Sequence, residues 1–445
     1  MRQLYMSTRL FSMTHRCYNT AMINFKKLEG PYGIPIYFQK LPDIVESVAM
    51  EWVIFTGASD DQNIGTFGAH HWFEHAPFRG TKKFPGGYSA IKGPFTRYGG
   101  DINAYTNLIN TGYYAHVQLK QWKQALEVIT DLWSQPLLDD AGIDAERTII
   151  FEEIRQTKSV AMRNAYYHLM NNFWKGHPLG HHTLGSEESL KSLTPAQLRT
   201  AHKLGYDRSR ATLFISGNID EQEILDYAKE CFQVTPDNGL TERRAVASFG
   251  PVPVPPTGTE VVVQTEFGSS IVFMLFPFAG KKTVEEIIFT HFLAAMLAEG
   301  GLDSPLYRIV REERKLAYSV RPTHANYPDG GWTGFIVETK NDNVEKVKQA
   351  FIDVLRDPEL RSEDRFLKVK DAIYSDEKMR SVSSEEFNDI GVGRLVELGK
   401  VLSDAEYMSV IEKISLADVV KAFDAMTPDK AITYIFRGKD EASAI

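Results

Sequence analysis

The chain repeats itself. On either side of a proline-rich stretch, Pro251, Pro253, Pro255 and Pro256, the same order of patterns recurs, and a repeated order restricts the fold more than any single pattern within it. The first half begins with a β-rich run from Val48 to Thr56 and the second with one from Ile271 to Phe278. A helical segment and then a strand pair follow each. Trp122, Ala125, Leu126, Ile129 and Leu132 then fall at helical spacing, as do Val344, Val347, Phe351, Val354 and Leu355. Both helices run into a proline, Pro136 or Pro358, and an acidic helix follows, around Asp144 to Gln156 and around Ser362 to Glu377. The expected fold is α+β, with two homologous domains, each an antiparallel sheet with helices packed on one face. The expected boundaries are an N-terminal extension over 1–26, a first domain over 27–235, a linker over 236–258 and a second domain over 259–445.

Composition narrows the function classes. At 445 residues the chain is too long for one ordinary core, and 43% hydrophobic with 24% charged residues describes a chain able to bury a large one. A net charge of −8 with no basic stripe argues against nucleic acid as a main partner and favours basic peptides. Two cysteines, Cys17 and Cys231, build no disulfide framework and suit a reducing compartment. No apolar run reaches about 18 residues, so no membrane span is expected. The first 28 residues lack Asp and Glu and carry Arg2, Arg9, Arg16, Lys26 and Lys27, a composition resembling a mitochondrial transit peptide. Arg2, Arg9 and Arg16 repeat every seven residues, with Leu4, Phe11 and Tyr18 on roughly the opposite helical face. The plain alternative is a leader read from an upstream start codon, since Met6, Met13 and Met22 all precede the first strand. The expected location is therefore a bacterial-type cytoplasm, or the mitochondrial matrix if the extension is a genuine transit peptide.

The chemistry concentrates at Gly68-Ala69-His70-His71-Trp72-Phe73-Glu74-His75-Ala76-Pro77-Phe78-Arg79-Gly80-Thr81. His71 and His75, four apart, stack one helical turn above the other and are able to share one metal ion. Glu74 lies at the edge of the same face, placed to take a proton from an attacking water without occupying a coordination position. The order H-x-x-E-H is a zinc-peptidase signature, against which stands a polar helix face with no metal. His70 points about 100° away and reads as a packing or supporting residue. A third ligand is needed, and the helix Glu146-Arg147-Thr148-Ile149-Ile150-Phe151-Glu152-Glu153 offers two on one face, Glu146 and Glu153. Spacing alone leaves both open.

These runs resemble the pitrilysin/insulinase family, in the short-chain branch that includes mitochondrial processing peptidases and their bacterial relatives. His71 to Thr81 is similar to the family's H-F-L-E-H-M-x-F-K-G-T, and Glu146 to Glu153 to its E-R-x-x-I-x-x-E. Gly99-Gly100-Asp101-Ile102-Asn103-Ala104-Tyr105-Thr106 resembles G-G-x-x-N-A-x-T, and His177-Pro178-Leu179-Gly180 with Leu184-Gly185 resembles H-P-L-G-x-x-x-L-G. Arg311 to Val320 resembles the segment that carries a paired Arg and Tyr. The resemblance extends over nearly all residues after about Phe25. It implies that His71, His75 and Glu153 hold one zinc ion per chain, that Glu74 is the general base and that Glu146 supports the site. It further implies that Asn103 and Ala104 lie on an edge strand that pairs with an extended peptide, and that Arg311 and Tyr318 contact the substrate carbonyl or oxyanion.

Ala76-Pro77 in place of the usual Met and its neighbour, the bulky Trp72, and the divergent turn Gly300-Gly301-Leu302-Asp303-Ser304 depart from the pattern. They remove no ligand but bear on substrate preference, and Pro77 is expected to end the helix. Three further histidines, His177, His181 and His182, read as loop residues because Pro178 and Gly180 interrupt any helical pair. The expected function is a zinc endopeptidase acting on peptides or unfolded segments in a chamber made by a homodimer. Its rivals are a catalytically silent scaffold or peptide-binding subunit, whose relatives usually lose part of H-x-x-E-H, and a metal-dependent amidase acting on a small molecule.

Overall fold

The computed structural model describes residues 22–239, 248–380 and 383–439. The expected leader up to residue 21, and residues 240–247 of the expected linker, lie outside these. The first half contains β1 (Lys26–Glu29), β2 (Pro35–Lys40), β3 (Ser47–Ile54), α1 (Ala69–His75), α2 (Gly87–Thr96), β4 (Asp101–Thr106), β5 (Thr111–Gln118), α3 (Trp122–Ser134), α4 (Asp140–Lys158), α5 (Ala161–Phe173), α6 (Pro195–Gly205), β6 (Ala211–Gly217) and α7 (Glu221–Cys231). The second half contains β7 (Thr259–Gln264), β8 (Ser270–Ala279), α8 (Val284–Ala298), β9 (Val320–Tyr327), β10 (Gly330–Thr339), α9 (Val344–Arg356), α10 (Glu363–Met379), α11 (Ser384–Leu398), α12 (Asp404–Lys413), α13 (Leu416–Ala425) and β11 (Ile432–Arg437).

The duplication is visible in strand order. One sheet runs β1-β2-β6-β3-β5-β4 and the other β7-β11-β8-β10-β9. Setting β2, β6, β3, β5 and β4 against β7, β11, β8, β10 and β9 reproduces every pairing direction, with β1 as an extra strand. The sheets are not wholly antiparallel, because β2 with β6 and β7 with β11 are parallel. Alternation along a strand reports its buried face and not the direction of its neighbour, so this detail was hidden in the sequence.

Strand β3 explains how the first sheet is covered. Val48, Met50, Trp52 and Ile54 enter the large core with Leu126, Ile129 and Trp133 of α3. Trp52 meets Trp133 at 5.3 Å and Phe232 at 4.8 Å between ring centroids, and its indole N–H donates to Thr130 Oγ1 at 3.0 Å. Each fully buried large side chain of this kind stabilises the fold by about 1.5 to 3 kcal/mol. Val53 points the other way, into a smaller cluster with Phe55, Phe214, Val392 and Leu395. The last two residues belong to α11.

That second face corrects the expected division of the chain. The compact unit around the first sheet holds β1 to β6, α1 to α3, α4 as far as Ile154, α6, α7 and α11. The unit around the second sheet holds the remainder, including α5. Helix α11 packs on β3 and β6, while α5 packs on β8, where Phe173 meets Trp332 at 5.1 Å and Tyr434 at 5.9 Å. Each sheet has a second apolar face to bury, and the helix that buries it comes from across the proline-rich stretch. Among the described residues, no helix is long and apolar enough to cross a membrane.

Candidate metal centre

Helix α1 is short and firmly seated. It starts at Gly68, whose φ of 94° is in the left-handed region that favours glycine. A side chain at Gly68 would also come within 2.7 Å of Leu184 O, and one at Gly185 within 2.2 Å of Phe67 O, so the loop through Leu184 lies directly against the helix start. Buried Asp61 accepts from the Gly68 N–H at 2.6 Å and the His70 N–H at 2.9 Å, satisfying amides that a helix N-terminus leaves free. His70 Nδ1 lies 2.7 Å from Asp61 Oδ1, and its Nε2 lies 3.1 Å from Thr56 Oγ1. Burial pushes the Asp61 carboxyl up, but His181 and His70 outweigh it and hold its pKa below the ordinary value. His70 therefore anchors the helix. At the other end Pro77 stops the α-helix at His75, and the chain continues as a tight turn over Ala76–Arg79.

The turn spacing of α1 brings the two other histidines onto one face, with ring centroids 4.8 Å apart. Glu153 of α4 reaches both, its Oε2 lying 3.5 Å from His71 Nε2 and 3.5 Å from His75 Nε2. Two donors each about 2.0 to 2.2 Å from one ion can stand roughly 4 Å apart, so this trio fits a single small cation. All three ligating atoms lie within 4.8 Å of one another. Glu146, one side of α4 and two turns earlier, reaches His75 from the opposite ring edge, Oε2 to Nδ1 at 3.4 Å, and accepts a short hydrogen bond from Arg79 Nε on its other oxygen. Spacing left Glu146 and Glu153 equivalent. The structure separates them, because Glu153 faces the Nε2 atoms of both rings and Glu146 only the Nδ1 of one.

Electrostatics sharpen the difference. Burial draws His75 down, but Glu146, Glu153 and Glu74 together outweigh it and lift the ring pKa to about 10. Burial likewise depresses His71, with Glu153 opposing. Burial pushes Glu153 up, yet His71 and His75 hold it down at about 2. Glu146 is also pushed up by burial and is held below the ordinary range by His75 and Arg79. Both carboxylates are thus ionised. His71 Nδ1 is buried without a hydrogen-bond partner, while its Nε2 faces Glu153. Glu74 is half-buried on the same helix, close enough for its charge to act on His71 and His75.

Helix α4 is fixed by Arg147. Its guanidinium lies 4.6 Å over the Trp72 ring and donates to the carbonyls of Leu190 at 2.7 Å and Leu193 at 3.0 Å. The bulk of Trp72 thereby supplies the platform that sets α4 against α1.

The other expected residues divide between the two units. Asn103 and Ala104 lie on β4, an edge strand that packs beside α1, and Thr106 of that strand donates to His70 O at 3.5 Å. The Asn103 side-chain carbonyl accepts from the Ala104 N–H at 3.1 Å. Arg311 and Tyr318 belong to the unit of the second sheet, where the guanidinium sits 4.5 Å over the phenol ring and Tyr318 is 81% exposed. Of the loop histidines, His177 Nε2 lies 3.0 Å from Gly250 O and His181 Nε2 2.8 Å from Ala58 O. His182 is different. Burial and the charges of His71 and His181 pull its pKa down to about 3, so a neutral imidazole stands near His71 and Glu153. Sequence reading gave His182 as a loop residue, where it lies, without linking it to His71, and it missed Asp61, which has no helical offset from the motif.

Comparisons with known proteins bear on the family and the fold. Residues 45–187 match the model described as Insulinase (Peptidase family M16), and residues 192–370 match Peptidase M16 inactive domain. The chain belongs to the insulinase family, peptidase family M16. Within it, a relative from Rickettsia bellii described as an uncharacterized zinc protease is 25% identical, covering 93% of this chain and 97% of its own. The mitochondrial-processing peptidase subunit beta of Saccharomyces cerevisiae is 24% identical over 92% of this chain and 90% of its own. A crystal structure of a protease from Helicobacter pylori shares the fold, with a TM-score of 0.82 at 17% identity over 94% of this chain and 100% of that one.

Proposed function

We propose that this protein is a zinc-dependent endopeptidase. The observation that carries the reading is the convergence of His71, His75 and Glu153 on one point, beside Glu74 on the same helix. Two imidazoles and one carboxylate form a donor set suited to zinc with a further position open. When bound, zinc polarises a scissile carbonyl and lowers the pKa of a coordinated water towards roughly 7. Glu74 takes the proton from the attacking water and delivers it to the leaving amine. Glu146 fixes His75 through Nδ1, and its own orientation is set by Arg79. Edge strand β4, next to α1, presents backbone groups with which an extended peptide can pair, Asn103 and Ala104 among them. Arg311 and Tyr318 offer a cation and a hydroxyl for the carbonyl under attack.

The test is metal analysis of purified protein combined with cleavage of a mixed peptide library. About one zinc per chain, cleavage abolished by a chelator and restored by zinc, is the expected result. Full metal occupancy with no cleavage of any peptide would favour a silent peptide-binding subunit.

The working unit is a homodimer in this reading, with Arg311 and Tyr318 of one chain serving substrate held by its partner. One chain carries both Glu74 and Tyr318, and paired identical chains are the commonest soluble assembly. Mixing inactive Glu74→Gln with inactive Tyr318→Phe under subunit exchange restores activity, up to about half that of a wild-type site population, if sites are completed in trans. Verified exchange with no recovered activity would exclude that arrangement.

A further inference from the structure

We propose that the second repeat carries a metal site of its own, in which His291 of α8 and His324 of β9 chelate a divalent transition metal such as zinc or nickel. In the second sheet α8 and β9 take the places that α1 and β4 take in the first. Helix α8 follows β8 and packs on edge strand β9, just as α1 follows β3 and packs on edge strand β4. His291 and His324 project from these two elements with ring centroids 5.0 Å apart and planes inclined at 46°. Their ligating nitrogens lie within 4.8 Å of each other. Two nitrogens on one ion span roughly 4 Å, a gap that a small rotation of the exposed His324 side chain closes.

Tyr407 supports the assignment. Its hydroxyl lies 3.3 Å from His291 Nδ1 and orients the half-buried ring, the kind of support by which ligating imidazoles are usually held. Imidazole pairs favour zinc, nickel and copper over magnesium and calcium, which take oxygen donors.

The site would not hydrolyse peptides. Counting from His291, Ala294 and Ala295 stand at the offsets where Glu74 and His75 follow His71, so α8 supplies one ring, no general base and no second histidine. What a bound ion does here is tie α8 to β9, and it favours the folded state by mass action.

The experiment titrates chelator-stripped protein with zinc and with nickel in three forms: wild type, His71→Ala/His75→Ala, and the same double variant with His324→Ala. Titrated with excess zinc, wild type is expected to take up a second, more weakly held ion beyond the one that purified protein keeps at His71 and His75, the double variant one, and the triple variant none or one held at least tenfold more weakly. Zinc should raise the melting temperature of the double variant and leave that of the triple variant unchanged. His324 is exposed, so His324→Ala in the wild-type background should fold and keep its peptide cleavage. Uptake of no zinc by the double variant, or equal uptake and affinity with and without His324, would overturn the proposal.

Discussion

Helices α1 and α8 occupy the same place in two repeats and differ in nearly everything else. Helix α1 has seven residues, is stopped by Pro77, and sets His71 and His75 on one face. Helix α8 has fifteen residues, continues for two more turns, and is apolar almost all round. The helices after them diverge in the same way. Helix α4 reaches α1 through two carboxylates aimed at imidazoles, whereas α10 reaches α8 through buried Arg365, which donates to the carbonyls of Ala295, Met296 and Glu299 at the helix end. One scaffold thus supports either a cluster of imidazoles and carboxylates or a guanidinium set against a helix C-terminus. The difference lies in a few side chains, not in the sheets.

The comparison can be broken most forcefully at Glu153. Glu153→Gln should reduce zinc affinity by well over the roughly 100-fold that changes outside the ligand set cost, with turnover falling alongside. Glu146→Gln should keep about one zinc per chain and lower turnover by about 10 to 100-fold, since it touches His75 only at Nδ1. Zinc content and peptide cleavage measured on both variants rank them, and the reverse ranking would exchange their roles. In the second repeat Arg365→Met should destabilise the protein by about 2 to 3 kcal/mol in urea unfolding, through three lost hydrogen bonds from a charged group. Zinc bound at His71 and His75 should not change, and a parallel fall in zinc would mean that the two helix pairs are not independent.

Much of this was legible in the sequence because it rests on local periodicity. The helices from Trp122 and from Val344 appear where spacing puts them, and the strands at Val48 and Ile271 likewise. The paired histidines and the two acidic candidates were visible because a helix maps fixed offsets onto one face. The exchange of α5 and α11 was not visible, since an amphipathic helix fits any apolar sheet face and its own residues do not say which. The separate placements of Glu146 and Glu153 depend on how α4 crosses α1, set by Arg147 on Trp72, a contact between residues 75 positions apart. Asp61 caps a helix that begins seven residues later, across an intervening turn, so no capping pattern announces it.

The central claim is that the first repeat differs from the second by carrying a catalytic base beside a metal, and Glu74→Gln tests it most directly. Zinc per chain and turnover of the same peptide are measured on wild type and variant, prepared identically. The account predicts about one zinc in both and a loss of turnover of roughly 10² to 10⁴ in the variant, the usual contribution of a general base. Loss of zinc in the variant, or turnover unchanged with zinc in place, would contradict it.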